Sequence, residues 1–293
     1  MRALFFLIRV LVYSNLFVSL CVTSLTHQTY ILLKLPQDDK YYLLTFVFCS
    51  TLFTYNFQRI VRLKFRELLS KQIGIRLSWI VRNRRPLLFV SMLAGVISTC
   101  MLFFLNLQII LLTIPLAFFS IFYVIPVFTI DSKKAGLRDY PYIKIFLIAL
   151  VWSMVITALP YFNYNDISNW KDSNFLLLLL EQFLFILAIT LPFDVRDLKY
   201  DLEAKMKTIP IAIGVKKTIL LAEFFLLVFI ALKYYQFHLG QISIIQMISL
   251  AIVTFASGIF LLFTTTKRAE LFYSGIIEGT MILMYLSILL LEY

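Results

Sequence analysis

The chain has 293 residues, 61% of them hydrophobic, a mean hydropathy of +0.90 and a formal net charge of +11. An apolar fraction this far above roughly one half excludes an ordinary water-soluble domain. The basic surplus is interleaved with Phe65, Leu68, Leu69, Ile73, Leu77 and Trp79, a pattern that suits anionic lipid or an anionic ligand at a membrane surface and argues against nucleic acid.

In chain order, segments long enough for a hydrocarbon core of about 30 Å, roughly 20 residues each, fall at 4–25, 41–57, 87–105, 108–127, 143–162, 174–193, 218–236, 242–264 and 271–291. They predict an all-α, polytopic membrane protein with nine transmembrane helices. No low-complexity tract or flexible linker divides residues 1–293, so a single domain is expected. The first segment carries Arg9 and Asn15 and lacks a small-residue cleavage site, so the mature chain is expected to begin near Met1. With nine spans, the N-terminus and the loops at 58–86, 128–142, 194–217 and 265–270 lie on one side and carry 21 Lys and Arg. The other side carries Lys34, Lys40, Lys171 and Lys233. The positive-inside rule makes the basic side and the N-terminus cytoplasmic and puts the C-terminus outside; the expected setting is a bacterial inner (plasma) membrane. The two long cytoplasmic loops stand four helices apart, as an internal duplication would leave them, although their residues do not repeat.

Cys21, Cys49 and Cys100 fall in apolar segments without paired spacing, and His27 and His238 fall in different short loops, so neither a disulfide framework nor a thiolate or histidine metal site is expected. Arg9, Glu181, Glu223 and Glu278 stand at apparent membrane depth, where an ionisable group is costly toward lipid and faces a cavity or a partner. Glu278 lies within Gly275-x-x-x-Gly279, a spacing that permits close helix contact, and is expected to pack internally as a neutral acid or to pair with a cation, and not to be catalytic.

The acids Asp194, Asp197 and Asp201 stand at i, i+3 and i+7 where the sixth span meets water, and share one face if that helix continues through them. Converging carboxylates repel one another unless a cation lies between them, and an oxygen-only set without His or Cys suits Mg²⁺ better than zinc. The same acids could instead form weak surface ion pairs with Arg196 and Lys199. Further basic residues on the cytoplasmic side are Lys133, Lys134 and Arg138, after the Tyr123-Val124-Ile125-Pro126 end of the fourth span, and Lys144 opening the fifth.

The run Asp194-x-x-Asp197-x-x-x-Asp201, followed by Lys207-Thr208-Ile209-Pro210 and Gly214, resembles the second aspartate-rich motif of the UbiA superfamily of intramembrane prenyltransferases, and the resemblance covers the whole chain. It implies a UbiA-type bundle with a cytoplasm-facing cavity. A first motif of the form NDxxDxxxD is implied at the end of the second helix. Here that stretch keeps Asn56, while Phe57, Ile60 and Lys64 stand where Asp is expected, and Lys205 replaces a Gly in the second motif.

The resemblance implies transfer of a prenyl group from an isoprenoid diphosphate to a lipophilic acceptor, such as an aromatic or quinone precursor, with diphosphate released. It further implies Mg²⁺ on Asp197 and Asp201, with Asp194 as a supporting ligand. Diphosphate contacts are then expected from Asn56, Arg59, Arg62, Lys64, Arg138, Lys144 and Lys207, with cations doing part of the work of the lost acids; Thr208 and Pro210 would shape the loop. Arg59, Arg62 and Lys64 also read as positive-inside anchors. Two other readings stay open: a UbiA-like protein that binds isoprenoid diphosphate or a partner without turnover, and a transporter, although the acids lie at one interface and not at the midplane. A CDP-alcohol phosphotransferase is disfavoured because no DGxxAR is present.

Overall fold

The computed structural model describes residues 2–66, 75–125, 128–130, 133–137, 140, 142–204 and 206–291, with backbone alone at 2–4, 62–66, 128–130 and 133–135. The helices are α1 (Arg2–Tyr13), α2 (Leu16–Leu32), α3 (Lys40–Arg66), α4 (Ile75–Arg82), α5 (Arg84–Leu102) and α6 (Leu107–Phe122). They continue as α7 (Ile143–Ser153), α8 (Leu159–Tyr164), α9 (Ser173–Glu203), α10 (Ile209–Ile213), α11 (Val215–His238), α12 (Ile244–Leu262) and α13 (Glu278–Leu289). A π turn at Met154–Ala158 joins α7 to α8, and a second at Phe272–Ile277 leads into α13. Between α6 and α7 lies a small antiparallel hairpin, β1 (Phe128–Ile130) with β2 (Lys133–Ala135), in which Thr129 pairs with Lys134.

Five of these helical units are long and apolar enough to cross a membrane, or six if α1 and α2 count as one bent span, among the described residues. Large side chains such as Phe89, Phe103, Leu111, Phe255 and Leu262 are exposed around the outside. In water that surface would be a liability; in a bilayer it is the lipid face. The chain is an integral membrane protein.

The central helix is α9. Its span is 61% buried inside the protein, against 22% for α5 and 28% for α12 at the rim. Asp172 starts it by accepting from the Asn174 and Phe175 amides at 2.7 and 3.3 Å, and Tyr161 Oη donates to the same carboxylate at 2.8 Å. Around it α2, α3, α7, α11 and α13 close one apolar core that includes Phe162, Phe175, Phe185, Phe229 and Tyr273. Pro192 withdraws one N–H from the helical ladder, yet α9 runs on through Asp194, Asp197 and Asp201 to Glu203. Past it, Gly214 adopts φ +84°, which links α10 to α11 with a backbone that side chains rarely tolerate.

Three sequence expectations are corrected. The segment 4–25 is not one straight helix, because α1 and α2 meet at 70°. Asn15 sits there at φ +66°, a conformation Asn tolerates, with its amide tied to α3 and α4. His27 lies inside α2 and not in a loop; its Nδ1 meets Tyr285 Oη at 2.9 Å and its Nε2 meets Lys40 Nζ at 3.0 Å. Lys233 is not an outer-face charge: it is 2% exposed and donates at 2.6 Å to Glu181, also sealed, and at 2.9 Å to Gln236.

Candidate active site

Where α3, α6, α7, α9 and α13 come together, the bundle encloses a cavity of about 190 Å³. From α3 come Tyr55, Gln58 and Arg59, from α7 Lys144 and Trp152, from α9 Asp194, Arg196 and Asp197, and from the last helical unit Ser274 and Glu278. A second cavity of about 110 Å³ shares Thr54, Tyr55, Ser120, Val151 and Trp152 with the first and adds Val22, Phe46, Leu116 and Leu159. Together they form a charged chamber next to a mostly apolar one.

The acids of α9 divide between two cations. Asp194 and Asp201, seven residues apart, are almost eclipsed on the helix and both turn to Lys144. Lys144 Nζ donates to Asp194 Oδ1 and lies 3.8 Å from Asp201 Oδ2, with all three side chains buried. Asp197 is rotated away from that line and takes a two-pronged contact from Arg196, whose Nε and Nη2 donate at 2.9 and 3.1 Å. Three carboxylates do not converge: among the described residues no group of three acidic, His or Cys side chains could hold a metal ion.

A chain of polar contacts links the two motif regions. Arg196 Nη1 donates to Glu270 Oε1 at 3.1 Å, and Arg76 Nη1 donates to the same oxygen at 2.6 Å. Arg76 also donates to Ser274 Oγ at 2.9 Å, to the Val12 carbonyl at 3.1 Å and to Asn15 Oδ1 at 2.9 Å. Asn15 Nδ2 then donates to Asn56 Oδ1 at 2.7 Å. Burial alone would raise the Glu270 carboxyl, but the charges of Arg196 and Arg76 outweigh it and hold the group below the ordinary glutamate range. Gln58 is fixed by donation to the Ser120 carbonyl at 2.9 Å. Arg59, by contrast, makes no ion pair or hydrogen bond with another described residue, although it lines the same cavity.

Of the residues singled out from the sequence, Asp194, Asp197, Lys144 and Arg59 line one cavity. Asp201 joins through Lys144 without lining it. Asn56 is buried behind the wall, and Lys207 is exposed and away from the lining. The side chains of Arg62 and Lys64, and the whole of Arg138 and Lys205, lie outside the described residues. Sequence reasoning missed Arg76, Glu270 and Asn15. A buried Arg inside a run of surface Arg and Lys carries no local mark, and Glu270 stands alone beside Arg268. Asn15 left one trace, a polar residue in an apolar segment.

Mg²⁺ commonly binds through one or two carboxylates and completes its shell with water and substrate phosphate. Asp194 and Asp197, both on the cavity wall, are the oxygen donors that such a partly hydrated ion would use. They do not form a protein-only cage.

The profile of the UbiA prenyltransferase family matches residues 81–273. No curated protein matches the sequence. Among solved structures the fold is similar to an apo UbiA homologue from Aeropyrum pernix K1, with a TM-score of 0.72 at 12% identity over 94% of this chain and 98% of that one. It is also similar to a UbiA homologue from Archaeoglobus fulgidus bound to GPP and Mg²⁺, with a TM-score of 0.66 at 12% identity over 96% and 98%. A third is a digeranylgeranylglyceryl phosphate synthase, with a TM-score of 0.58 at 16% identity over 96% and 98%. The family profile spans well over half of the sequence, and the chain belongs to the UbiA prenyltransferase family.

Proposed function

We propose that this chain is an intramembrane prenyltransferase that moves a prenyl group from an isoprenoid diphosphate to a lipophilic acceptor and releases diphosphate. The observation that carries the reading is one cavity whose wall holds Asp194, Asp197, Lys144 and Arg59 and which continues into an apolar chamber. A diphosphate and its isoprenoid tail need that pairing of charge and oil. Family membership and the GPP and Mg²⁺ in the Archaeoglobus fulgidus homologue support it.

In this reading Arg59 and Lys144 would meet the phosphate oxygens, while Asp194 and Asp197 would hold one Mg²⁺, with Asp201 behind Lys144. Mg²⁺, when bound, would offset leaving-group charge and ease departure of diphosphate. Arg59, which forms no ion pair with a described residue, would supply positive charge where the first motif has lost its acids; Arg62, Lys64 and Arg138 would add to it. Arg196, already engaged by Asp197 and Glu270, orders the wall. The apolar chamber would take the isoprenoid tail, with Tyr55 and Trp152 in its lining beside the positive charge that would develop at the allylic carbon. In this reading α3, α6 and α11 would also cross the membrane beside the six units long and apolar enough by composition, which would give nine passes with the N-terminus cytoplasmic and the C-terminus outside.

The engagement of the acids by Lys144 and Arg196 favours a second reading, a protein that binds the diphosphate without turnover. The separating experiment incubates purified protein with Mg²⁺, radiolabelled allylic diphosphates of several lengths and a membrane-lipid extract. Labelled lipid is expected; diphosphate binding without any labelled lipid would establish the second reading instead.

A further inference from the structure

Around the cavity, among the described residues, Glu278 differs from the other carboxylates, which are engaged by cations. Asp194 is held by Lys144, Asp197 by Arg196, and Glu270 by Arg76 and Arg196. Glu278, on the α13 wall, lines the cavity beside Ser274 and Met281 and makes no hydrogen bond or ion pair with another described residue. It belongs to the charged chamber on a membrane-spanning helical unit, where an ionisable group is costly toward lipid and faces a cavity or a partner. Its surroundings bear on its charge from several elements: Arg59 and Tyr55 of α3, Arg76 of α4, Arg196 of α9, Glu270 before the π turn and Cys21 of α2. Arg76 and Arg196 are held by partners of their own, which leaves Glu278 able to turn to a ligand.

Prenylation leaves a proton to be removed. When the C1–O bond of the allylic diphosphate breaks, its electron pair leaves on diphosphate. An acceptor oxygen then forms the new bond to C1 and must shed its hydrogen. Resting on the prenyltransferase reading above, we propose that Glu278 takes that proton from a neutral, hydroxyl-bearing acceptor and later returns it to water. A carboxylate here accepts a hydrogen bond from a neutral hydroxyl and repels an acidic acceptor, so the same residue selects the acceptor class.

The test compares the full-length wild type with Glu278→Gln and Glu278→Asp, using Mg²⁺, radiolabelled geranyl diphosphate and a membrane-lipid extract. Label is followed separately into lipid and into free prenyl alcohol. Loss of a general base is expected to cut transfer to lipid about 100-fold in the Gln variant, with geranyl diphosphate affinity within about twofold of wild type and alcohol formation retained. The Asp variant should recover part of the transfer. Wild-type transfer should rise with pH as one carboxyl deprotonates, and that rise should vanish in the Gln variant. Equal transfer by wild type and Gln variant overturns the role of Glu278 alone, as does a parallel loss of donor affinity and transfer. Donor binding without labelled lipid from the wild type overturns the prenyltransferase reading beneath it.

Discussion

Two buried ion-pair systems share α9 and differ in what they face. Toward one end, Glu181 and Lys233 are sealed between α9 and α11, with Gln236 completing the contact. Toward the other, Asp194, Asp197, Lys144 and Arg196 form the wall of a cavity that Arg59 and Glu278 also reach. The sealed pair fastens two helices: neither charge meets an open space, so its work ends with the contact. The open system holds charges where a ligand can exchange partners with them. A charged pair within a membrane bundle is therefore a candidate for chemistry when a cavity borders it, and a packing device when none does.

The largest effect is expected at the sealed pair. Lys233→Met leaves Glu181 buried without its cation and should cost about 3–5 kcal/mol, read as a lower melting temperature in detergent, while affinity for geranyl diphosphate persists in the folded fraction. Replacing both partners, Lys233→Met with Glu181→Leu, should restore most of that loss. If the single variant melts like wild type, the contrast between the two systems fails. Next is Asp197→Asn, at the cavity wall. On the proposed function it should lower transfer on the order of 100-fold, about 2.7 kcal/mol, because Asp197 would be one of the oxygen ligands of the metal, while melting moves little. The smallest effect concerns Glu270. Its carboxyl is held below the ordinary range in the folded protein, so its stabilisation is fully present above the unfolded glutamate value and is lost as the pH falls through the lower folded value. Acid titration followed by thermal melting should show this loss in wild type and not in Glu270→Gln.

Much of this was legible in the residues, and what was not has physical causes. The apolar runs marked the helices because a bilayer demands whole spans of them. The period of the helix placed Asp194 and Asp201 together, since seven residues make nearly two turns. It did not reveal that Lys144, from a helix distant in sequence, would lie between them; the pairing of Asp197 with its neighbour Arg196 was the alternative that the residues themselves offered. Hydropathy also overlooked the break at Asn15, because one residue of left-handed backbone scarcely changes the mean over a whole span. The link from Asn56 through Asn15, Arg76 and Glu270 to Arg196 joins five elements, and no sequence spacing encodes such a path. Lys233 was misplaced because an amine near a helix end reads as a surface charge until its partner, fifty-two residues away, is seen.

In the proposed function Arg59 and Lys144 would bind a diphosphate, and Asp194 and Asp197 would hold one Mg²⁺ beside it. The most direct measurement is calorimetric titration of the purified protein with geranyl diphosphate, with and without Mg²⁺, in wild type, Arg59→Ala and Asp197→Ala. Wild-type affinity should strengthen with Mg²⁺, Arg59→Ala should weaken binding under both conditions, and Asp197→Ala should abolish most of the Mg²⁺ effect. Binding that ignores Mg²⁺ and both substitutions would contradict it.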